Sequence, residues 1–126
     1  MATIKSYSDL EQSKKLAEIL PLESADTLHC IDFDGYLLFT TPKQYSGSFR
    51  YQPELIIPCW SLASLLNVLP TLDGRNAVLC QDIRYDEWHI CYHSTAILSV
   101  IDTERYNNPV DACYEMILKL HELKML

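Results

Sequence analysis

At 126 residues the chain falls in the usual size range of one domain, and 48% hydrophobic residues are enough for a core without covalent staples. Ten basic against seventeen acidic residues give a formal net charge of −7. That balance disfavours nucleic acid and anionic membrane surfaces alike, because both are bound through gathered cations. The sequence holds neither an apolar run that could cross a bilayer nor a basic-then-apolar leader, so a soluble cytoplasmic protein is expected.

Ser8 and Glu11 have the spacing of a reciprocal capping box, which predicts a helix that starts at Ser8 and stops before Pro21. Leu10, Leu16, Ala17, Ile19 and Leu20 supply its apolar stripe. Short apolar stretches over 28–40 predict two strands joined by a turn at Asp34 and Gly35, a pair suited to the positive φ of a hairpin turn. Residues 41–53, with Pro42 and Gly47, read as an irregular loop.

A central helix is expected over 59–69, with Pro58 near its start and Pro70 closing it. Leu62, Leu65, Leu66 and Leu69 form its core stripe, widened by Trp60, Ala63 and Val68. Nearly uncharged, it is expected to be the most buried element. After a turn at residues 73–76, strands are expected over 77–83, 88–92 and 96–101. Tyr85-Asp86-Glu87 and His93-Ser94-Thr95 are connections short enough to force an antiparallel meander.

The last helix begins with Asn108 as cap, Pro109 in the first turn and Asp111 near the positive end of the dipole. Val110, Cys113, Ile117 and Leu120, flanked by Tyr114 and Leu123, form its inner face. The whole chain, 1–126, is thus expected to be a single α+β domain. Its antiparallel sheet has about five strands, a two-strand hairpin plus a three-strand meander, with three helices packed against it.

The cysteines, Cys30, Cys59, Cys80, Cys91 and Cys113, are odd in number, widely spaced and mostly flanked by apolar residues. That is the pattern of buried thiols in a reducing compartment rather than of a disulfide framework. Cys59 at a helix start is a candidate nucleophile, because a helix N-terminus lowers a thiol pKa, but its apolar setting favours a structural thiol.

On a strand alternate residues share a face, so His89, Cys91 and His93 point together, and Cys80 on the neighbouring strand can add a fourth zinc-type ligand. Against this, residues two apart on an extended strand are separated by about 7 Å, wide for one ion. The competing reading turns Trp88, Ile90 and Tyr92 inward and the more polar residues outward. Aromatic residues suggest a different surface. Tyr45, Phe49, Arg50 and Tyr51 share the 43–53 loop, and Tyr36, Tyr85 and Tyr106 lie in or beside turns, as on a protein-recognition surface or as rings folded back on a sheet edge.

Cys30-Ile31-Asp32-Phe33-Asp34-Gly35-Tyr36-Leu37 resembles the first motif of haloacid-dehalogenase-type phosphatases. That resemblance implies Asp32 as nucleophile and Asp34 as general acid, with Mg²⁺ between them. It covers fewer than ten residues, and Tyr36 stands where that family has Thr. The chain also lacks the βαβ alternation of that fold, and an Asp-rich turn accounts for the same residues. Three longer stretches, Leu10-Glu11-Gln12-Ser13-Lys14-Lys15-Leu16, Ile57-Pro58-Cys59-Trp60-Ser61-Leu62-Ala63-Ser64-Leu65-Leu66 and Asn108-Pro109-Val110-Asp111-Ala112-Cys113-Tyr114-Glu115-Met116, resemble a group of uncharacterised small proteins of gut bacteria, their phages and mobile elements. The resemblance implies a bacterial setting and no catalytic residues.

No coherent catalytic set emerges, and no cofactor is expected. The leading expectation is a non-enzymatic protein–protein interaction or regulatory module. Its partner would be a protein or a second copy of the chain, met through the 43–53 loop or an exposed sheet face. The alternative is a small metal-binding protein or hydrolase centred on His89, Cys91 and His93.

Overall fold

Asp9, rather than Ser8, opens the first helix. The computed structural model of the chain describes residues 5–31, 37–40, 56–92 and 101–126, and its first helix, α1, spans Leu10–Ile19. Asp9 Oδ1 accepts from the Gln12 amide at 2.8 Å while Gln12 Oε1 accepts from the Asp9 amide at 3.1 Å. The reciprocal box therefore forms one residue later than the Ser8–Glu11 spacing predicts. Ser8 is engaged elsewhere: its buried hydroxyl accepts from the Trp60 amide at 3.0 Å and shares a 2.8 Å hydrogen bond with Ser13 Oγ. A hydroxyl committed to a partner 52 residues away is not available as a helix cap.

The chain divides into two compact units, one over Tyr7–Ser64 and the other joining Met1–Ser6 to Leu65–Leu126. In the first, β1 (Thr27–Ile31) pairs antiparallel with β2 (Leu37–Thr40), as the sequence predicts. The turn at Asp34 and Gly35 and the 43–53 loop lie outside the described residues. A third strand, β3 (Ile56–Cys59), pairs with the other edge of β1. It corrects the expectation that Pro58 and Cys59 begin the central helix. Ile56 and Ile57 favour extended backbone. As an edge strand, β3 also tolerates a proline that cannot donate to a ladder.

Trp60 locks this unit. Its ring is fully buried, its carbonyl accepts from the Ser8 amide at 2.8 Å, and its indole Nε1 donates to Ser24 Oγ at 2.9 Å. A carbonyl only accepts, so the 3.0 Å contact between His29 Nε2 and the Ser8 carbonyl places the histidine proton on Nε2. The next residue, Ser61, donates its amide to Asp26 Oδ1 at 2.9 Å and its hydroxyl to Asp26 Oδ2. Burial pushes the Asp26 carboxyl up, but hydrogen bonds from Ser61 and Ser64 outweigh it and hold the group below the usual carboxylate value.

Helix α2 (Leu62–Val68) starts where Ser61 Oγ accepts from the Ser64 amide at 3.2 Å. It is shorter and less buried than expected, with Leu65 its one fully enclosed residue and Ala63 exposed. The most enclosed helix is instead α3 (Pro109–Glu122), in which Val110, Cys113, Met116, Ile117 and Leu120 are all completely buried. Its N-terminus matches the prediction: Asn108 Oδ1 accepts from the Asp111 amide at 2.9 Å. Leu123, expected on the inner face, is exposed because it lies in the turn beyond the last helical residue.

The second unit carries a meander of β4 (Val78–Asp82), β5 (Glu87–Tyr92) and β6 (Ile101–Asp102), in the order β4-β5-β6. Asp73 and Gly74 precede it with φ of 48° and 74°, the paired positive values of a two-residue hairpin turn that Leu72 and Arg75 close with reciprocal hydrogen bonds. Residues 96–100, expected to start the third strand, lie outside the described residues. The α+β class and antiparallel pairing agree with expectation. The expected hairpin gains β3 as a third strand, so with the three-strand meander the described residues form two three-stranded antiparallel sheets. No described helix is long and apolar enough to cross a membrane.

Replacing Ser8 with Ala leaves the Trp60 amide buried without its hydroxyl acceptor. The expected cost is about 1–3 kcal/mol, read as a lowered urea midpoint by tryptophan fluorescence. An unchanged midpoint would show that the hydroxyl contributes nothing.

Candidate metal centre

Directly opposed residues in an antiparallel pair share a face. The β4–β5 register sets Cys80 opposite His89 and Val78 opposite Cys91, and the β5–β6 register sets Cys91 opposite Asp102. Four polar or ionisable groups, Cys80, His89, Cys91 and Asp102, therefore gather on one side of three adjacent strands. The hairpin that imposes this register closes through residues 83–86, where Asp86 has a φ of 51° and Asp82 Oδ1 accepts from the Arg84 amide at 3.1 Å.

The ligand atoms of Cys80, His89 and Cys91 all lie within 4.8 Å of one another, and the two thiols approach to 3.8 Å. The expected splay along one strand is overcome in two ways. Cys80 arrives from the neighbouring strand, and the His89 and Cys91 side chains lean together. Neither Cys80 nor Cys91 is in a disulfide. His93, the third ligand predicted from the sequence, lies outside the described residues.

Asp102 is the residue that sequence reasoning missed. Its Oδ1 meets His89 Nδ1 at 2.8 Å. A carboxylate oxygen only accepts, so Nδ1 carries a proton, and in the neutral ring the lone pair is on Nε2. Beyond Asp102, Thr103 donates its amide to the Ile90 carbonyl and accepts from the Ile90 amide through Oγ1, both at 3.0 Å. The pairing resumes between Trp88 and Tyr106, so two residues, Glu104 and Arg105, span the interval that His89 alone occupies on β5. This is a β-bulge facing His89. The one available signal in the sequence was its place beside the predicted strand end at Ile101.

The alternation expected of β5 does not hold. Ile90 and Cys91 point to opposite faces yet are respectively 0% and 1% exposed, so both faces are covered at that end of the strand. Burial, followed by the hydrogen bond to Cys80 and the proximity of Cys80 and Asp102, pushes the Cys91 thiol up to about 11. By itself it is protonated near neutrality and a poor nucleophile. Cys113, pushed up to about 12 by burial, is inert in the same sense.

Cys59 lies on β3, completely buried, and not at a helix start, which removes the basis for an activated thiol there. Asp32 and Asp34, together with Tyr36, Tyr45, Phe49, Arg50 and Tyr51, lie outside the described residues. Tyr85 is exposed at the β4–β5 turn, with the Arg84 guanidinium 5.4 Å from its ring centroid. Tyr106 is half-buried and pairs with Trp88 as described above.

Beside the centre, a groove of about 420 Å³ runs between the Asp102 end of β6 and the outer face of α3. Asp102, Glu104, Glu115 and Glu122 line it together with Lys119, whose ammonium donates to the Asp102 carbonyl. Burial first, and then the charges of Asp111, Glu104 and Glu122, push the Glu115 carboxyl above its ordinary value. No family model, curated protein or solved structure matches the chain.

A carboxyl whose pKa is raised on folding binds more protons in the folded state, so stability falls as pH rises through that window. Glu115→Gln is therefore expected to raise the thermal midpoint at pH 7, by an amount worth less than about 1 kcal/mol at so accessible a site. The gain should vanish once the pH is below the usual glutamate range. Paired melts at pH 7 and pH 3.5 check this, and equal midpoints at pH 7 would contradict it.

Proposed function

We propose that this chain is a metal-binding protein whose β4–β5 hairpin holds a zinc-type divalent ion through Cys80, His89 and Cys91. The observation that carries the reading is the convergence of their ligand atoms within 4.8 Å. Two thiolates at about 2.3 Å and an imidazole at about 2.0 Å from a tetrahedral ion require S···S near 3.8 Å and S···N near 3.6 Å. The 3.8 Å between the two sulfurs already meets the first requirement. Two soft sulfurs and one borderline nitrogen favour zinc over magnesium or calcium, which take oxygen.

The same thiols are poorly placed for a structural disulfide. Cys80 and Cys91 are diagonal neighbours rather than opposed ones, since Cys80 faces His89 and Val78 faces Cys91. Diagonal Cα atoms are about 7–8 Å apart, whereas a disulfide needs roughly 4.4–6.8 Å. An ion bridges the longer span without moving the strands.

Cobalt(II) titration of the reduced, metal-free protein is expected to give one equivalent of binding with sulfur-to-metal charge-transfer absorption, displaced by zinc. Cys80→Ser or His89→Ala should weaken binding by more than about 100-fold, beyond the usual cost of losing an outer-shell partner. A folded, reduced protein that takes up neither ion sinks the proposal.

A second reading treats the domain as a protein-interaction module in which the ion only staples the hairpin. It is favoured by Ile83 and Tyr85, which are 85% and 65% exposed at the β4–β5 turn. Ile83→Asp should then reduce self-association in sedimentation velocity at high protein concentration. A wild type that stays monomeric there rules out a second copy as the partner.

A further inference from the structure

We infer that Asp102 is the positioning residue of the metal centre, fixing which nitrogen of His89 meets the ion. The inference rests on the zinc-type reading of Cys80, His89 and Cys91 but concerns a different residue and a different property.

Asp102 is held in place from several directions. Its backbone is paired opposite Cys91, Thr103 continues the pairing through both its amide and its hydroxyl, and the Lys119 ammonium donates to the Asp102 carbonyl. The bulge at Glu104 and Arg105 then lies opposite His89, before the pairing resumes between Tyr106 and Trp88. The carboxylate thereby reaches His89 Nδ1 at 2.8 Å.

Three consequences follow for the ring. Its proton is confined to Nδ1, its lone pair to Nε2, and its plane is pinned along the Nδ1–carboxylate axis. The negative charge also makes Nε2 a better donor. Asp102 does this from outside the ligand set, because the groups that meet within 4.8 Å are Cys80, His89 and Cys91. Its side chain is 43% exposed, whereas that of His89 is 17% exposed.

The test compares wild type with Asp102→Ala and Asp102→Asn. Long-range ¹H–¹⁵N NMR of the metal-free protein at pH 8 should show His89 as the Nδ1–H tautomer in wild type. In Asp102→Ala it should shift toward Nε2–H, the form neutral imidazole prefers in water. Cobalt(II) affinity, read by competition with a chromophoric chelator, should fall about 10–100-fold in Asp102→Ala. The charge-transfer bands should keep their positions. Asp102→Asn, whose amide oxygen can still accept from Nδ1–H, should lie between the two.

Wild-type tautomer and affinity in Asp102→Ala would overturn the inference, and so would a shift of the cobalt ligand-field bands that marked Asp102 as a ligand. A wild type that binds no cobalt instead overturns the metal reading, and the role inferred for Asp102 in metal binding goes with it. The tautomer measurement still reports separately whether Asp102 orients the ring.

Discussion

The candidate centre depends on the register of one hairpin. With Cys80 opposite His89 and Cys91 opposite Asp102, all four side chains stand on the same face of the meander. Because side chains alternate with a period of two, slipping β4 by one residue would send Cys80 to the other face and leave His89 and Cys91 without a partner on that strand. Everything that holds the register therefore serves the site. The tight turn at residues 83–86 sets the β4–β5 alignment, and the Thr103–Ile90 and Tyr106–Trp88 pairings set that of the chain running past β5.

The unit over Tyr7–Ser64 shows the same economy with different groups. Ser8 and Trp60 exchange two hydrogen bonds, one from each amide, so a residue before α1 is tied to the residue after β3. The indole is satisfied by Ser24 and the following Ser61 by Asp26. The amide, carbonyl and indole nitrogen of Trp60 each have a named partner, which keeps its burial favourable rather than costly. In the other unit, enclosure comes mainly from apolar residues of α3, where Val110, Cys113, Met116, Ile117 and Leu120 form a continuous inner face.

Elements with strong local signals could be read before any coordinates. The Asn108 cap, Pro109 and the apolar spacing of the last helix are local chemistry, and α3 starts where they place it. The β4–β5 connection is short enough to leave only an antiparallel pairing. Errors arose where a residue serves a distant partner. Ser8 has the spacing of a cap but is drawn to Trp60, and Asp9 caps instead. Pro58 and Cys59 look like a helix start, yet pairing with Thr27 and Leu28 makes them a strand.

For the site, the sequence by itself determined the inventory: two thiols and an imidazole within twelve residues, on strands that must run antiparallel. It also determined that His89 and Cys91 share a face, since alternation is a property of any strand. The tertiary structure alone decided which residues become neighbours across strands. Register follows from turn geometry and from hydrogen bonds such as Thr103 to Ile90, which no spacing along the chain encodes. That is why Cys80 converges on His89, and why Asp102, thirteen residues beyond it, comes to hold its ring.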